Sequence, residues 1–187
     1  MQLYIKNMVC NRCKMVVETE LKKLGFNPIY VELGEVGIKE ENLNETQSKA
    51  LKKSLINLGF ELITTKKEQL VEQVKTEIIQ LVHYPKEILK LNLSDYLSQK
   101  LAVEYATLSA IFSEQEQQTI EKYLIAQKIE KVKELLTYGE KSLSEIAYEL
   151  NYSSVAHLSM QFKKVTGETP SAYKSNKETN RKTLNEV

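Results

Sequence analysis

Hydrophobic positions follow one rhythm up to residue 65 and another beyond it. The first stretch is a series of short elements. Leu3-Tyr4-Ile5 predicts a strand, and Lys14 to Leu24 predicts a helix with Val16, Val17, Leu21 and Leu24 turned inward. Gly25 ends that helix, because glycine takes the left-handed conformation beyond a last turn without a Cβ clash. Asn27 to Leu33 predicts a strand opened by Pro28 and broken by Gly34. Val36 to Lys39 predicts another, with Gly34-Glu35 as the hairpin turn. Asn44-Glu45 caps a helix that runs to Leu58 on a stripe of Leu51, Leu55 and Leu58. Gly59 stops it, and Phe60 to Ile63 closes as a strand.

The order β-α-β-β-α-β over these residues is the ferredoxin-like plan. Thr64-Thr65-Lys66-Lys67 reads as a polar linker, and beyond it every apolar pattern is helical. Helices are predicted over Glu68 to His83, Leu93 to Leu101, Glu104 to Phe112, and from Gln117 to Leu136, with Pro85 separating the first two. The fold class is α+β: a ferredoxin-like domain over 1-65, then an all-α double helix-turn-helix domain over 66-187 whose tail is disordered from residue 175. Each half has its own apolar periodicity and the linker has none, so separate folding is expected.

Leu143 to Lys174 carries the most informative pattern. Leu143, Ile146, Ala147 and Leu150 share one helical face, with Ser144 placed to cap the first turn. After a tight break at Asn151-Tyr152 and the pair Ser153-Ser154, a second helix buries Leu158, Phe162 and Val165 and stops at Gly167. Pro170 opens a last turn carrying Tyr173. Two short helices so joined form a helix-turn-helix, the unit that lays its second helix in the DNA major groove.

The segments SEIAYELNY, SSVAHLSMQFKK and TGETPSAYK resemble the second helix-turn-helix of the AraC family of transcription regulators. LNLSDYLSQKLAVEYATLSAIF and TIEKYLIAQKIEKVKELL resemble that family's first unit and connecting helix, so the likeness runs from residue 68 to 174. It implies a connecting helix carrying Tyr123, Ile129, Val132, Leu135 and Leu136. It also implies a second recognition helix over Ser154 to Lys164, with Val155, Ala156, Ser159 and Met160 toward the groove. Ser144, Ser153, Ser154, Lys163 and Lys164 are the candidates for phosphates, reached by hydroxyls, charges and helix N-termini. The first unit would offer Glu104, Tyr105, Ala106, Thr107, Ser109 and Ala110. Met160 and Ala110 stand where the family commonly has Arg, and Ser113-Glu114-Gln115-Glu116 replaces a basic run, so the second unit is expected to dominate. Lys174, Lys177, Arg181 and Lys182 add charge to the tail, although an ordinary solvated face explains them too. His83 and His157 are isolated and are read as packing or solvent-facing residues.

Asn7-Met8-Val9-Cys10-Asn11-Arg12-Cys13 lies between the first strand and the first helix. Cys13 at a helix N-terminus, with Arg12 and Lys14 beside it, favours a thiolate. Two thiolates three residues apart on a turning loop can converge on one soft metal ion. The segment resembles the heavy-metal-associated domain of copper chaperones and metal-pumping ATPases, whose motif M-x-C-x-x-C is matched by Met8, Cys10 and Cys13. The resemblance implies Cu(I) held by Cys10 and Cys13 and shielded by Met8 and Phe60. Asn7 departs from the family's usual Gly. Zinc normally takes four ligands, so two cysteines would need outside help. A thiol-disulfide switch, or a domain whose cysteines are idle and which serves only as a dimerisation or partner module, stays open.

Composition changes this picture little. A length of 187 residues with 42% hydrophobic content supports one or two domains. Net charge is +1, and nine Lys/Arg against eight Asp/Glu up to residue 65 leave seventeen of each beyond it. Bulk charge therefore makes no case for nucleic acid. No apolar run approaches the ~18 residues of a membrane span, and no leader opens the chain, so a cytoplasmic protein is expected. No nucleophile-base pair or phosphate loop points to an enzyme. The sequence thus reads as a transcription regulator responding to a soft metal ion, Cu(I) first. Its partners would be double-stranded DNA and a metal donor or chelator, with no membrane, and a homo-oligomer is compatible. The alternative is a metal-trafficking or adaptor protein whose helical half binds protein.

Overall fold

The computed structural model describes residues 1–85, 91–175 and 181–187. The N-terminal part runs β1 (Gln2–Lys6), α1 (Asn11–Lys23), β2 (Pro28–Glu32), β3 (Glu35–Ile38), α2 (Glu45–Asn57) and β4 (Glu61–Ile63). Its sheet is ordered β2-β3-β1-β4 with every neighbour antiparallel. Register follows side-chain alternation: Leu3 opposes Val36, and Ile5 opposes Leu62. That pairing puts Leu3, Ile5, Val36 and Ile38 in one buried layer, covered by Val17 and Leu21 of α1 and Leu51 and Leu55 of α2. Burying each such aliphatic side chain contributes about 1.5–3 kcal/mol, enough to fix which face of each strand turns inward.

Several sequence expectations shift here. The first helix begins at Asn11 rather than Lys14, with Cys10 as its N-cap. Val16 and Leu58, expected inside, are exposed, and Leu24 is only half-buried. Phe26 takes the place beside Leu21 instead, closing the core past Gly25, whose φ is +81°. Asn44 caps α2 in a reciprocal box with Gln47, as its position before the helix predicts.

The second part is helical: α3 (Lys66–His83), α4 (Leu93–Leu101), α5 (Tyr105–Glu116), α6 (Ile120–Tyr138), α7 (Leu143–Glu149), α8 (Val155–Thr166) and α9 (Pro170–Ser175). Thr65 caps α3 with Glu68, so half of the stretch read as a linker belongs to the helix start. One cluster joins these elements, with Val74 and Ile78 of α3, Phe112 of α5, Tyr123 and Ile129 of α6, and Phe162 of α8 at its centre. The tail from residue 175 was expected to be disordered. Residues 181–187 instead lie against α6: Arg181 pairs with Glu134 at 3.2 Å, the Lys182 N–H donates to Glu130, and Gln127 donates to the Leu184 carbonyl. Lys177 lies outside the described residues.

Both parts meet along α3. Glu72 and Thr76, polar residues in mid-helix, are buried there. The β2–β3 turn presses on them: a Cβ on Gly34 would sit 3.0 Å from Thr76 Oγ1, and Gly34 also holds φ +77°. Both constraints select glycine at this turn.

The two hydrophobic clusters share no residue. Residues 64–187 expressed alone, Thr65 cap included, should therefore melt cooperatively and give a helical circular-dichroism spectrum. A broad, non-cooperative melt would show instead that α3 needs the sheet to hold its fold.

Candidate functional site

The cysteine loop is built on a left-handed residue. Asn7 follows β1 with φ +73°, a conformation open to glycine and, among other residues, most readily to asparagine. This accounts for asparagine where the metal-binding family usually has glycine. Three polar groups of Asn7 are engaged. Its N–H donates to Glu72 Oε1 at 3.1 Å, its side-chain amide donates to the Gly59 carbonyl at 3.1 Å, and its carbonyl faces the Cys13 thiol at 4.0 Å. The next residues turn into α1, and the two sulfurs lie 3.4 Å apart, both half-buried.

Thiolate chemistry is distributed differently from the sequence expectation. Cys10, not Cys13, occupies the N-cap, while Cys13 stands one turn inside α1. Burial pushes the Cys10 thiol up, but bonds from the Cys13 N–H and thiol, the Arg12 N–H and the Arg12 charge outweigh it. Its net shift is downward. Burial dominates at Cys13 and raises it, and the neighbouring Cys10 adds to the rise. Lys14 does not share in activating either thiol, because its ammonium pairs with Glu32 at 2.8 Å.

Met8 is 1% exposed and Phe60 8%, and both belong to the sheet-side core against which Cys13 packs. Their side chains are thus committed to that apolar core. No group of three or more His, Cys, Asp or Glu gathers as a metal site among the described residues. The donor set is therefore two soft sulfurs in a largely apolar wall, which suits a thiophilic ion of low coordination number and not calcium or magnesium. Cys10 and Cys13 would hold such an ion between their sulfurs, which would move from their 3.4 Å contact to admit it.

The helical half touches this loop twice. Besides Glu72 on Asn7, the Tyr84 hydroxyl at the end of α3 donates to the Val9 carbonyl at 3.3 Å. Burial raises the Tyr84 hydroxyl, and the nearby Cys10, Glu134 and Cys13 charges raise it further. Pattern reading missed both residues. A glutamate on the buried stripe of α3 was the available signal.

In the second helix-turn-helix, α7 is capped by Ser142 in a reciprocal box with Glu145, not by Ser144. Ser144 lies one residue inside α7, in the wall of a cleft with Leu124, Lys141 and Tyr148, apart from the α8 residues. Asn151 makes the turn with φ +54°. Ser154 caps α8, and Leu158 and Phe162 are buried, with Phe162 edge-on to Tyr173 at 5.5 Å. Val155, assigned to the groove, packs against the core, and Ser159 is half-buried. Val165, expected inside, is 50% exposed. The outer face of α8 is thus Ala156, His157, Met160, Lys163 and Lys164, with Met160 68% exposed. Ser153 Oγ is bonded to the His157 ring at 3.0 Å. His157 is the member of this face that the sequence reading left out.

The first unit is anchored rather than repelled. Glu114 pairs with Lys67 at 2.8 Å and Glu116 with Lys75 at 2.6 Å, so the acidic run staples α5 to α3. Its turn is made by Ala102 at φ +53°, and Gln117 ends α5 at φ +55°.

Residues 97–176 match a family model described as a helix-turn-helix domain, of the AraC type. The C-terminal domain of AraT, a response regulator from Geobacillus stearothermophilus, is similar over 64% of this chain and 95% of its own, with 22% identity and a TM-score of 0.51. The C-terminal domain of the two-component response regulator yesN from Fusobacterium nucleatum matches 59% of this chain and all of its own, with 25% identity and a TM-score of 0.47. The xylose-binding transcription activator xylR matches over 87% of this chain but only 36% of its own length, with 18% identity and a TM-score of 0.45. No curated protein matches the chain. Residues 97–176 thus carry the match to a helix-turn-helix domain, and no helix among the described residues is long and apolar enough to cross a membrane.

Because the Cys10 thiol is lowered and the Cys13 thiol raised, alkylation at neutral pH should modify Cys10 first. The preference should shrink as pH rises and Cys13 also ionises. Peptide mapping after brief iodoacetamide treatment checks the order. Equal labelling at neutral pH would contradict the N-cap assignment.

Proposed function

We propose that this protein is a DNA-binding transcription regulator whose affinity for DNA responds to a soft metal ion, Cu(I) first, captured by Cys10 and Cys13. The observation that carries the reading is the pair of hydrogen bonds by which α3 grips the backbone of the cysteine loop. On this reading the N-terminal unit is a ferredoxin-like domain of the heavy-metal-associated kind, supported by its element and strand order. When Cys10 and Cys13 swing apart, Val9 and Asn7 on the same loop move with them, and Tyr84 and Glu72 are pulled or released. Helix α3, with α5 of the first unit fastened to it by Lys67 and Lys75, then shifts against α6 and the second unit. The domain belongs to a cytoplasmic protein on this account.

One experiment joins both ends. Reduced protein is titrated with Cu(I) in the presence of a competing chelator while thiolate-metal absorbance and retention of duplex DNA are followed together. Cys10→Ser and Cys13→Ser should each abolish stoichiometric binding. Tyr84→Phe combined with Glu72→Leu should keep metal binding yet remove its effect on DNA, whereas Glu72→Gln, which can still accept from Asn7, should not. Stoichiometric Cu(I) on the double serine variant would place the metal elsewhere, and DNA affinity indifferent to Cu(I) in the native chain would remove the regulatory link.

A second reading, an adaptor or metal-trafficking protein, is favoured by the equal numbers of acidic and basic residues beyond residue 65. Duplex retention separates the two. Lys163→Ala with Lys164→Ala should weaken binding about tenfold or more and flatten its salt dependence by roughly one unit per lost phosphate contact. Thr107→Ala with Ser109→Ala should stay within about 0.5 kcal/mol. A larger loss from the Thr107/Ser109 pair would reverse the assigned roles of the two units.

A further inference from the structure

We infer that His157 is the base-reading side chain of the second helix-turn-helix unit, recognising a purine through its Nε2–H; this rests on the DNA-binding reading above. His157 is the third residue of α8 and is exposed, on the same helical face as Met160 and Lys164. Two contacts fix its ring. Nδ1 lies 3.0 Å from Ser153 Oγ, and the ring packs edge-on to Tyr152, with centroids 5.5 Å apart and planes at 84°.

Tyr152 is itself held from three helices. Its N–H donates to the Ala147 carbonyl of α7 at 2.8 Å, and its hydroxyl donates to Gln161 of α8 at 2.8 Å. Lys128 of α6 sits over its ring at 5.1 Å. The imidazole is therefore preorganised by the turn of the motif, at little entropic cost on binding. Its remaining nitrogen, Nε2, has no partner among the described residues.

Purine edges in the major groove present acceptors, N7 on both purines and O6 on guanine, within a strongly negative potential. That environment favours the tautomer with its proton on Nε2. Ser153 supports the same tautomer, because its hydroxyl can donate to a bare Nδ1. Ala156 and Met160, its nearest exposed neighbours on this face, have no donor, and Lys163 and Lys164 lie further toward the end of the helix. A recognition helix that looks apolar in sequence thus carries one aimed N–H.

The native chain, His157→Ala and Ser153→Ala are each used to select binders from a pool of random-sequence duplexes, and the enriched pools are sequenced. The native chain should enrich a purine at one defined position of each site. His157→Ala, an exposed substitution whose folding a thermal melt verifies, should still retain duplex. It should lose that preference alone, lowering discrimination at that position about tenfold. Ser153→Ala should blunt the same position by freeing the ring, and leave the others intact. An unchanged purine preference in His157→Ala overturns the inference. So does a uniform loss across all sequences with a shallower salt dependence, the signature of a phosphate contact. Failure of the native chain to retain any duplex removes the DNA-binding reading itself, and this assignment with it.

Discussion

Helix α3 must satisfy two partners at once, and the arrangement of everything else depends on that. A helix at a protein surface buries one stripe and wets the other. Here Val71, Val74, Ile78 and Val82 enter the helical core, while Glu72, Thr76 and Ile79 are also buried, and the β2–β3 turn and the end of β1 lie close to Glu72 and Thr76. A carboxylate in such a place is costly to bury, and the cost raises the Glu72 carboxyl above the ordinary range even with Lys75, the Asn7 N–H and Lys6 opposing the rise. Its hydrogen bond to Asn7 is consequently not one polar contact among many. Without it, a buried acceptor would be left unmade, at roughly 1–3 kcal/mol. The cysteine loop and the helical half are tied by a group that neither can release cheaply.

The fold was largely legible from periodicity and punctuation. Leu93–Leu101 is found with the bounds predicted, and Asn44, Gly25, Gly59 and Gly167 act as caps or stops at their expected places. Errors fell where tertiary contact overrides local pattern. Val16, Leu58 and Val165 carry apolar side chains at helical spacing, yet Val16 lies beside the buried Val17, and Leu58 and Val165 fall at the ends of their helices, three positions past the buried Leu55 and Phe162. Ser144 and Ser142 are both plausible caps by composition, and only the reach of Glu145 back to Ser142 decides between them. At the candidate site the residue types were readable and their roles were not. Nothing in the spacing of Cys10 and Cys13 indicates which is the N-cap, and pattern alone does not show that Asn7 is left-handed.

Zero net charge beyond residue 65 makes no case for DNA, but charge counts ignore where the partners are. Glu114 and Glu116 are matched by Lys67 and Lys75 on the α3 side. Glu134 is held by Lys131 and Arg181, and Glu149 by Lys141. These pairs cancel locally and project little field. Lys163 and Lys164 make no ion pair among the described residues and sit at the end of the exposed face of α8. Screening confines surface fields to about 8–10 Å at physiological salt, so a phosphate at that face would meet the two lysines and not the chain's total.

The same pairs suggest how a change at the cysteines would be felt at DNA. On the proposed DNA-binding reading, two recognition helices that dock on one duplex together would have to keep a spacing near one helical turn, about 34 Å. Ion pairs from Lys67 and Lys75 fasten α5 to α3, whereas α7 and α8 pack on α6. A shift of α3 would accordingly carry the first unit with it and leave the second nearly in place. Register between the units would change although neither reading surface is altered. The first unit can then matter to affinity without a single base contact of its own, by setting whether the second is presented to the groove alone or with a partner helix beside it.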